Sequence, residues 1–233
     1  MGSVIRDIHF SDKEKCVNRL IANTVVCRDI GLLYGKMGCT ITFYIMSRKG
    51  NNSQRFVYGK FANKILYDII SSIGKNTSID FAHGLCGIGW GLEFLISEGF
   101  VDGNSLDLLE EIDKAIMQIN PQRLPYTLHY GLKGVLHYIL AHIKNCMLQD
   151  GIRPFDQDFL HTVYKSSLMA KNHSEDIELS MLADSYINFM NTGNIDYSFE
   201  PVKFIKKGVD DKKISTLSVA LEDGLSGYLL INA

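Results

Sequence analysis

A short pattern, Gly-x-x-Gly at the mouth of an apolar stretch, recurs along the chain at a nearly fixed interval. It reads Gly35-Lys36-Met37-Gly38, Gly84-Leu85-Cys86-Gly87, Gly131-Leu132-Lys133-Gly134 and Gly224-Leu225-Ser226-Gly227. The first three openings are 49 and 47 residues apart, and the last gap, 93, is about twice that. A member is therefore missing near residue 178. There Ile177-Glu178-Leu179-Ser180-Met181-Leu182-Ala183 overlays His83-Gly84-Leu85-Cys86-Gly87-Ile88-Gly89 with both glycines of the pair lost, which makes it a degenerate fourth repeat. The series then opens at 35, 84, 131, 178 and 224. Self-similarity at such a period marks stacked two-element units that cannot bury their apolar faces alone.

The segments between the glycine pairs read as helices. From Ser105 to Asn120 the apolar Leu109, Ile112, Ile116 and Ile119 step by three and four, with Asp107, Glu110, Glu111 and Lys114 on the other side. Phe61, Ile65, Ile69 and Ile73 repeat that pattern one unit earlier. By contrast, Ile88–Ile96 and Val135–Ile143 carry few charges and are apolar nearly all round, as helices buried on most sides are. Turns fall at Asn120-Pro121 and at 191–194. The expected fold is all-α, an α/α toroid or open arc of about five repeated helix hairpins, one domain over residues 1–233. Each Gly-x-x-Gly sits where the chain enters an inner helix, and a missing side chain there permits tight packing and positive φ.

In such an arrangement the residues one and two places before each glycine crowd toward the centre: Leu33 and Tyr34, Ala82 and His83, His129 and Tyr130, Asp176 and Ile177, Glu222 and Asp223. Two imidazoles and up to three carboxylates offer proton transfer near neutral pH, or a metal site of mixed nitrogen and oxygen ligands. The competing reading is that Asp176 and Glu222 only cap inner helices. His83, His129 and Asp223 are the candidate catalytic residues, and the same three are candidate metal ligands. Tyr34, Cys86, Tyr130 and Glu222 are the candidate substrate-binding residues. An imidazolium near Cys86 would lower its pKa, although a small cysteine at such a place is more often packing. Trp90, the single tryptophan, is expected to fill the core with a partner for its N–H. His137 and His142, five apart on one helix, do not share a face.

Phe81-Ala82-His83-Gly84-Leu85-Cys86-Gly87-Ile88-Gly89 resembles the Ala-His-Gly-x-x-Gly-Ile motif of the lanthionine synthetase C-like proteins. The resemblance implies an α/α toroid whose inner helices open with Gly-x-x-Gly, and it implies that His83 serves as an acid or base near the reacting centre. Cyclases of that family hold zinc through a cysteine two residues before one glycine and a Cys-His-Gly in a later repeat. Here His129 and Glu222-Asp223 stand at those places, and no cysteine follows Cys146. Family members have seven helix pairs, whereas this chain has five motif positions. The resemblance therefore implies a degenerate member that binds a peptide or partner enzyme in peptide modification and lacks zinc-dependent cyclisation. The alternatives are an active peptide-modifying enzyme with a rebuilt His/carboxylate metal site, and an α/α-barrel hydrolase in which Asp176 or Glu93 partners Glu222 or Asp223. The expected cofactor is none or one metal ion, with zinc a candidate.

Composition narrows the partners. A net charge of -2 provides no basic footprint for nucleic acid. The five cysteines (Cys16, Cys27, Cys39, Cys86, Cys146) are scattered, so no disulfide framework or zinc ribbon is expected. Met1–Phe10 is too polar for a signal peptide, and no apolar run reaches the roughly 20 residues of a membrane span. A cytoplasmic protein with no membrane partner is the expectation. Asp210-Asp211, in a lysine-rich stretch, reads as a solvated turn. An uncovered Tyr228-Leu229-Leu230-Ile231 surface would favour a homo-oligomer.

Overall fold

The computed structural model describes residues 2–173, 175–206 and 216–232, with side chains for those after residue 12 except 173. The Asp210-Asp211 turn lies outside the described residues. Among the described residues all regular structure is helical: α1 (Gly2–Val26), α2 (Lys36–Lys49), α3 (Asn52–Ser72), α4 (Leu85–Ser97), α5 (Ser105–Ile116), α6 (Leu132–Gln149), α7 (Gln157–His173), α8 (Ile177–Thr192) and α9 (Leu225–Ile231), with short 3-10 turns at Pro121–Arg123 and Pro201–Phe204. The chain divides into two compact units, Asn76–Phe199 and Met1–Lys75 with Glu200–Ala233.

Each of the four intact motifs opens a helix in the same way. The first glycine is the N-cap, no side chain caps the helix, and φ is -122° at Gly35, -114° at Gly84, -131° at Gly131 and -125° at Gly224. The positive φ expected of these glycines is therefore absent; among the described residues it occurs at Gly99, Gly103, Gly151 and Gly193. What the motif needs is space. The first N–H of each helix donates to a carbonyl seven residues back: Lys36 to Asp29 (2.9 Å), Leu85 to Ser78 (2.8 Å), Leu132 to Pro125 (2.8 Å) and Leu225 to Ser218 (2.8 Å). A loop curled onto the helix start thus satisfies a donor that would otherwise lack a partner. That carbonyl lies against the glycine, so a β-carbon on Gly35 would sit 2.6 Å from the Asp29 oxygen and one on Gly224 2.7 Å from the Ser218 oxygen, with Gly84 and Gly131 tighter still. The second glycine is crowded by the next carbonyls of the loop, Leu32 at Gly38, Leu128 at Gly134 and Leu221 at Gly227.

In the unit Asn76–Phe199, α4 and α6 pack side by side, and α8 packs on α6. Both α4 and α6 are enclosed, with every residue from Leu85 to Leu95 buried. Gly89 leaves room for the Tyr138 ring, and Trp90 is fully buried with its Nε1 donating to the Tyr197 hydroxyl at 2.6 Å. α5 buries one stripe, Leu109, Ile112 and Ile116 together with Asp113, and keeps Asp107, Glu110, Glu111 and Lys114 in water. α8 departs from the expected register. Its N-cap is Asp176, which accepts from the Leu179 N–H, so the helix starts two residues before the overlay placed it. It is also one-sided, burying Leu179, Leu182, Ala183, Tyr186 and Phe189 while Ile177 and Met181 face solvent.

In the other unit, enclosed α2 packs on α9, α3 covers α2, and α1 lies on α9 and α2. Lys13 donates to the Asn232 carbonyl (3.0 Å) and Arg19 to the Leu217 carbonyl (3.3 Å). α1 thus takes the outer place beside α9. Of the apolar surface expected at residues 228–231, Leu229 and Leu230 are buried, Tyr228 is half-buried and Ile231 is exposed.

One relationship occurs in both units. The Phe81 and Ala82 N–H groups donate to the His129 carbonyl (2.9 and 3.2 Å), and those of Leu221 and Glu222 donate to the Leu33 carbonyl (2.8 and 3.2 Å). Counted from their glycines, the donors stand three and two places before one motif and the acceptor two places before the other. The second glycines repeat it: Phe81 Cβ lies 2.5 Å from where a Gly134 β-carbon would be, and Leu221 Cβ lies 2.8 Å from the Gly38 equivalent. The second motif therefore docks on the third as the fifth docks on the first.

Candidate functional site

In the unit Asn76–Phe199, the loop clasp gathers His83, His129 and Tyr130 at the starts of α4 and α6. Asp80 accepts the His83 N–H at 2.7 Å and fixes the loop. The His83 and Tyr130 rings stack with centroids 6.3 Å apart, and the His129 ring lies 6.0 Å from that of Tyr130. Tyr130 is 58% exposed, whereas both imidazoles are half-buried. The arrangement is a small platform of flat rings, open to solvent at Tyr130. Ala82 is fully buried, and its N–H donates to the His129 carbonyl.

Cys86 lies on the first turn of α4 but is fully buried. Burial pushes its thiol far up, and the charges of Asp80 and Asp113 add to the effect. This is the reverse of the activation that a neighbouring imidazolium would give, so the side chain stays a thiol at neutral pH.

The fourth motif position is built on charge instead of glycine. Lys133, on the first turn of α6, pairs with Asp176 at 3.0 Å and with Glu178 at 2.5 Å. Burial opposes the Lys133 ammonium, yet its hydrogen bonds to Glu178 and Asp176 raise its pKa. Glu178 is brought down to about 2, chiefly by the neighbouring His137 ring, whose Nε2 lies 3.5 Å away. His137 in turn faces the Tyr197 hydroxyl through Nδ1 at 2.9 Å, so the contacts run from Trp90 in the core out to Glu178. Asp176 is lowered despite its burial, because it accepts from Leu179 and Lys133. It is a cap, the simpler of its two sequence readings.

Sequence reasoning missed a second cluster. Glu93 of α4, Asp113 of α5 and His142 of α6 meet in the core: His142 Nδ1 lies 2.5 Å from Glu93 and Nε2 lies 2.7 Å from Asp113. Tyr138 donates to Asp113 at 2.6 Å, Ser105 donates to Glu93 at 2.9 Å, and Asn145 donates to Glu93 as well. Burial alone would lower the imidazole. Hydrogen bonds to Asp113, Cys146 and Glu93 overcome it and hold His142 up at about 11, as an imidazolium between two carboxylates. The available signal was Glu93, a lone carboxylate in an otherwise apolar helix, which requires a buried partner. With all three side chains closed from solvent, the cluster is structural.

Tyr34, Glu222 and Asp223 belong to the other unit. Glu222 is buried but does not cap α9, whose N-cap is Gly224. Its carboxylate accepts from the Tyr34 hydroxyl and faces the Lys206 ammonium at 3.3 Å. Its carbonyl accepts from the Lys206 N–H at 2.7 Å. Asp223 is exposed.

Among the described residues, no group of three or more His, Cys, Asp or Glu side chains is arranged to hold a metal ion, and no helix is long and apolar enough to cross a membrane. Comparisons with protein-family models, with curated proteins and with solved structures each found no match.

Proposed function

We propose that the chain is a degenerate, small α/α ring of the lanthionine synthetase C-like kind, which binds a peptide, or an enzyme that modifies one, at the motif ends of its inner helices. The repeat reading is supported by one docking relation that recurs inside each unit: the fifth motif meets the first as the second meets the third. The observation that carries binding over chemistry is the platform of His83, Tyr130 and His129. Stacked rings at a solvent-facing edge suit contact with a peptide backbone and apolar side chains, at a low entropy cost. Three other groups that chemistry could recruit are engaged elsewhere. Cys86 is buried as a thiol, Asp176 caps α8, and Glu222 is fastened by Tyr34 and Lys206.

Random-peptide phage display against the wild type, with the selected peptides re-measured on Tyr130→Ala and His83→Ala, tests this reading. About a tenfold loss of affinity in each variant is expected for rings at the heart of a contact. Peptides that bind both variants as well as the wild type would refute it. Elemental analysis separates the enzyme alternative. About one metal per chain, lost in both His83→Ala and His129→Ala, would move the conclusion to a rebuilt metal site.

A further inference from the structure

α3 differs from the other outer helices in what it shows to solvent. Its packed side is Ala62, Ile65, Leu66 and Ile69. On the opposite side Phe56 is 61% exposed, Val57 52%, Tyr67 72% and Ile70 53%. At 100° per residue, Phe56, Lys60, Asn63, Tyr67 and Ile70 fall in one stripe, with Lys64 and Val57 along its flank. The Lys60 ammonium lies over the Phe56 ring, 4.2 Å from its centroid. The surrounding sequence is strongly basic. Residues 48–75 hold six lysines and arginines (Arg48, Lys49, Arg55, Lys60, Lys64, Lys75) against one acidic residue, Asp68. That segment is +5 in a chain of -2, so the remainder stands at -7.

We propose that the outer face of α3 seats the protein on an anionic lipid surface, with the helix lying in the plane of the interface. The composition fits that occupant: aromatic and aliphatic side chains at intervals along the helix, and lysines whose stems run beside them while their heads reach phosphate level. Charge complementarity points the same way, because anionic headgroups attract such a basic segment. A second copy of the chain fits less well. A face about 31 Å long and about 10 Å wide provides roughly 300 Å², well below the roughly 800 Å² per partner of a stable protein interface. The sequence expectation of no membrane partner rested on the lack of a spanning run, which an in-plane helix does not need.

The experiment is co-sedimentation with two sets of vesicles, phosphatidylcholine alone and phosphatidylcholine with phosphatidylserine, at low and high salt. The full chain is compared with Lys60→Gln/Lys64→Gln and with Phe56→Ser/Tyr67→Ser; far-UV circular dichroism confirms that these exposed substitutions leave the helices intact. The wild type is expected to pellet with the phosphatidylserine vesicles only and to be released by salt. The lysine pair should weaken binding about 5-fold per residue, and the aromatic pair should weaken it without changing the salt response. Failure to pellet, equal pelleting with both vesicle types, or binding unaffected by either double variant overturns the proposal. Binding to polyglutamate without binding to vesicles also overturns it, in favour of an acidic polypeptide partner.

Discussion

Replacing Gly131 with alanine tests the account of the glycine motif most directly. Its φ of -131° is one that alanine adopts without strain, so conformational preference alone favours the substitution by about 0.4–1 kcal/mol through the unfolded chain. Space opposes it. The new β-carbon would lie 2.7 Å from both the nitrogen and the oxygen of Thr127, and nearer still to the Pro125 oxygen. These are backbone atoms of a loop already held by the Leu132 to Pro125 hydrogen bond, so relief requires moving the loop. Overpacking costs about 1–3 kcal/mol and a lost buried hydrogen bond about 1 kcal/mol. The net expectation is a loss of about 2–3 kcal/mol, or about 1–1.5 M in urea midpoint at a slope near 2 kcal/mol/M. Two controls frame it. Gly74 has nothing within 4 Å of its absent β-carbon and no positive φ, so Gly74→Ala should stabilise by about 0.4–1 kcal/mol. Gly193 also has open space but a φ of +78°, so Gly193→Ala should cost about 1 kcal/mol through strain alone. Urea unfolding followed by the emission of Trp90 reads all three. A Gly131→Ala protein as stable as Gly74→Ala would refute the reasoning, because it would show that the loop yields without cost.

Three further outcomes are expected. His142→Leu leaves Glu93 and Asp113 buried without their cation and should cost about 3–5 kcal/mol by urea unfolding; a cost under about 1 kcal/mol would count against an imidazolium held between them. Because the folded-state pKa of His142 is raised from 6.5 to about 11, its contribution is complete below pH 6.5 and is lost as pH rises toward 11. Stability measured from pH 7 to 10.5 should therefore fall, and a flat profile would count against the imidazolium. Glu178 has the opposite sign, lowered from 4.5 to about 2, so its contribution is present above pH 4.5 and lost as pH falls toward 2; Glu178→Gln should flatten the acid limb of the same profile, and an unchanged limb would place that titration elsewhere.

Much of the helical layout was legible in the sequence, because burial dictates composition directly. The charge-poor runs at Ile88–Ile96 and Val135–Ile143 lie within α4 and α6, and the three-four stepping of Leu109, Ile112 and Ile116 became the packed stripe of α5. Trp90 was placed correctly for the same reason. The glycines were read correctly for packing and incorrectly for φ, since sequence alone does not show that a loop carbonyl seven residues back occupies the space. The start of α8 was displaced by two because an Asp cap outweighed the alignment of repeats. Of the candidate site, the His83, His129 and Tyr130 platform was predictable from position relative to glycine. The pairings of Glu222 with Tyr34, Lys133 with Asp176 and His142 with Asp113 were not, because the partners lie 188, 43 and 29 residues apart. Long-range pairing leaves no trace in local pattern.

The division of the chain also sets an order of assembly. Residues 76–199 form a contiguous unit that leaves the ribosome in one piece, and its helices can find one another while synthesis continues. The other unit is drawn from both ends of the sequence. α2 emerges early, and α9, its neighbour in the packed layer, follows it only after 175 intervening residues. Until that last segment appears, Gly38 has no Leu221 against it and the Leu33 carbonyl has no N–H groups to accept from. The first 75 residues must therefore wait, partly uncovered, for the last 34. That interval is when a nascent chain of this kind is most exposed to aggregation and most in need of a chaperone.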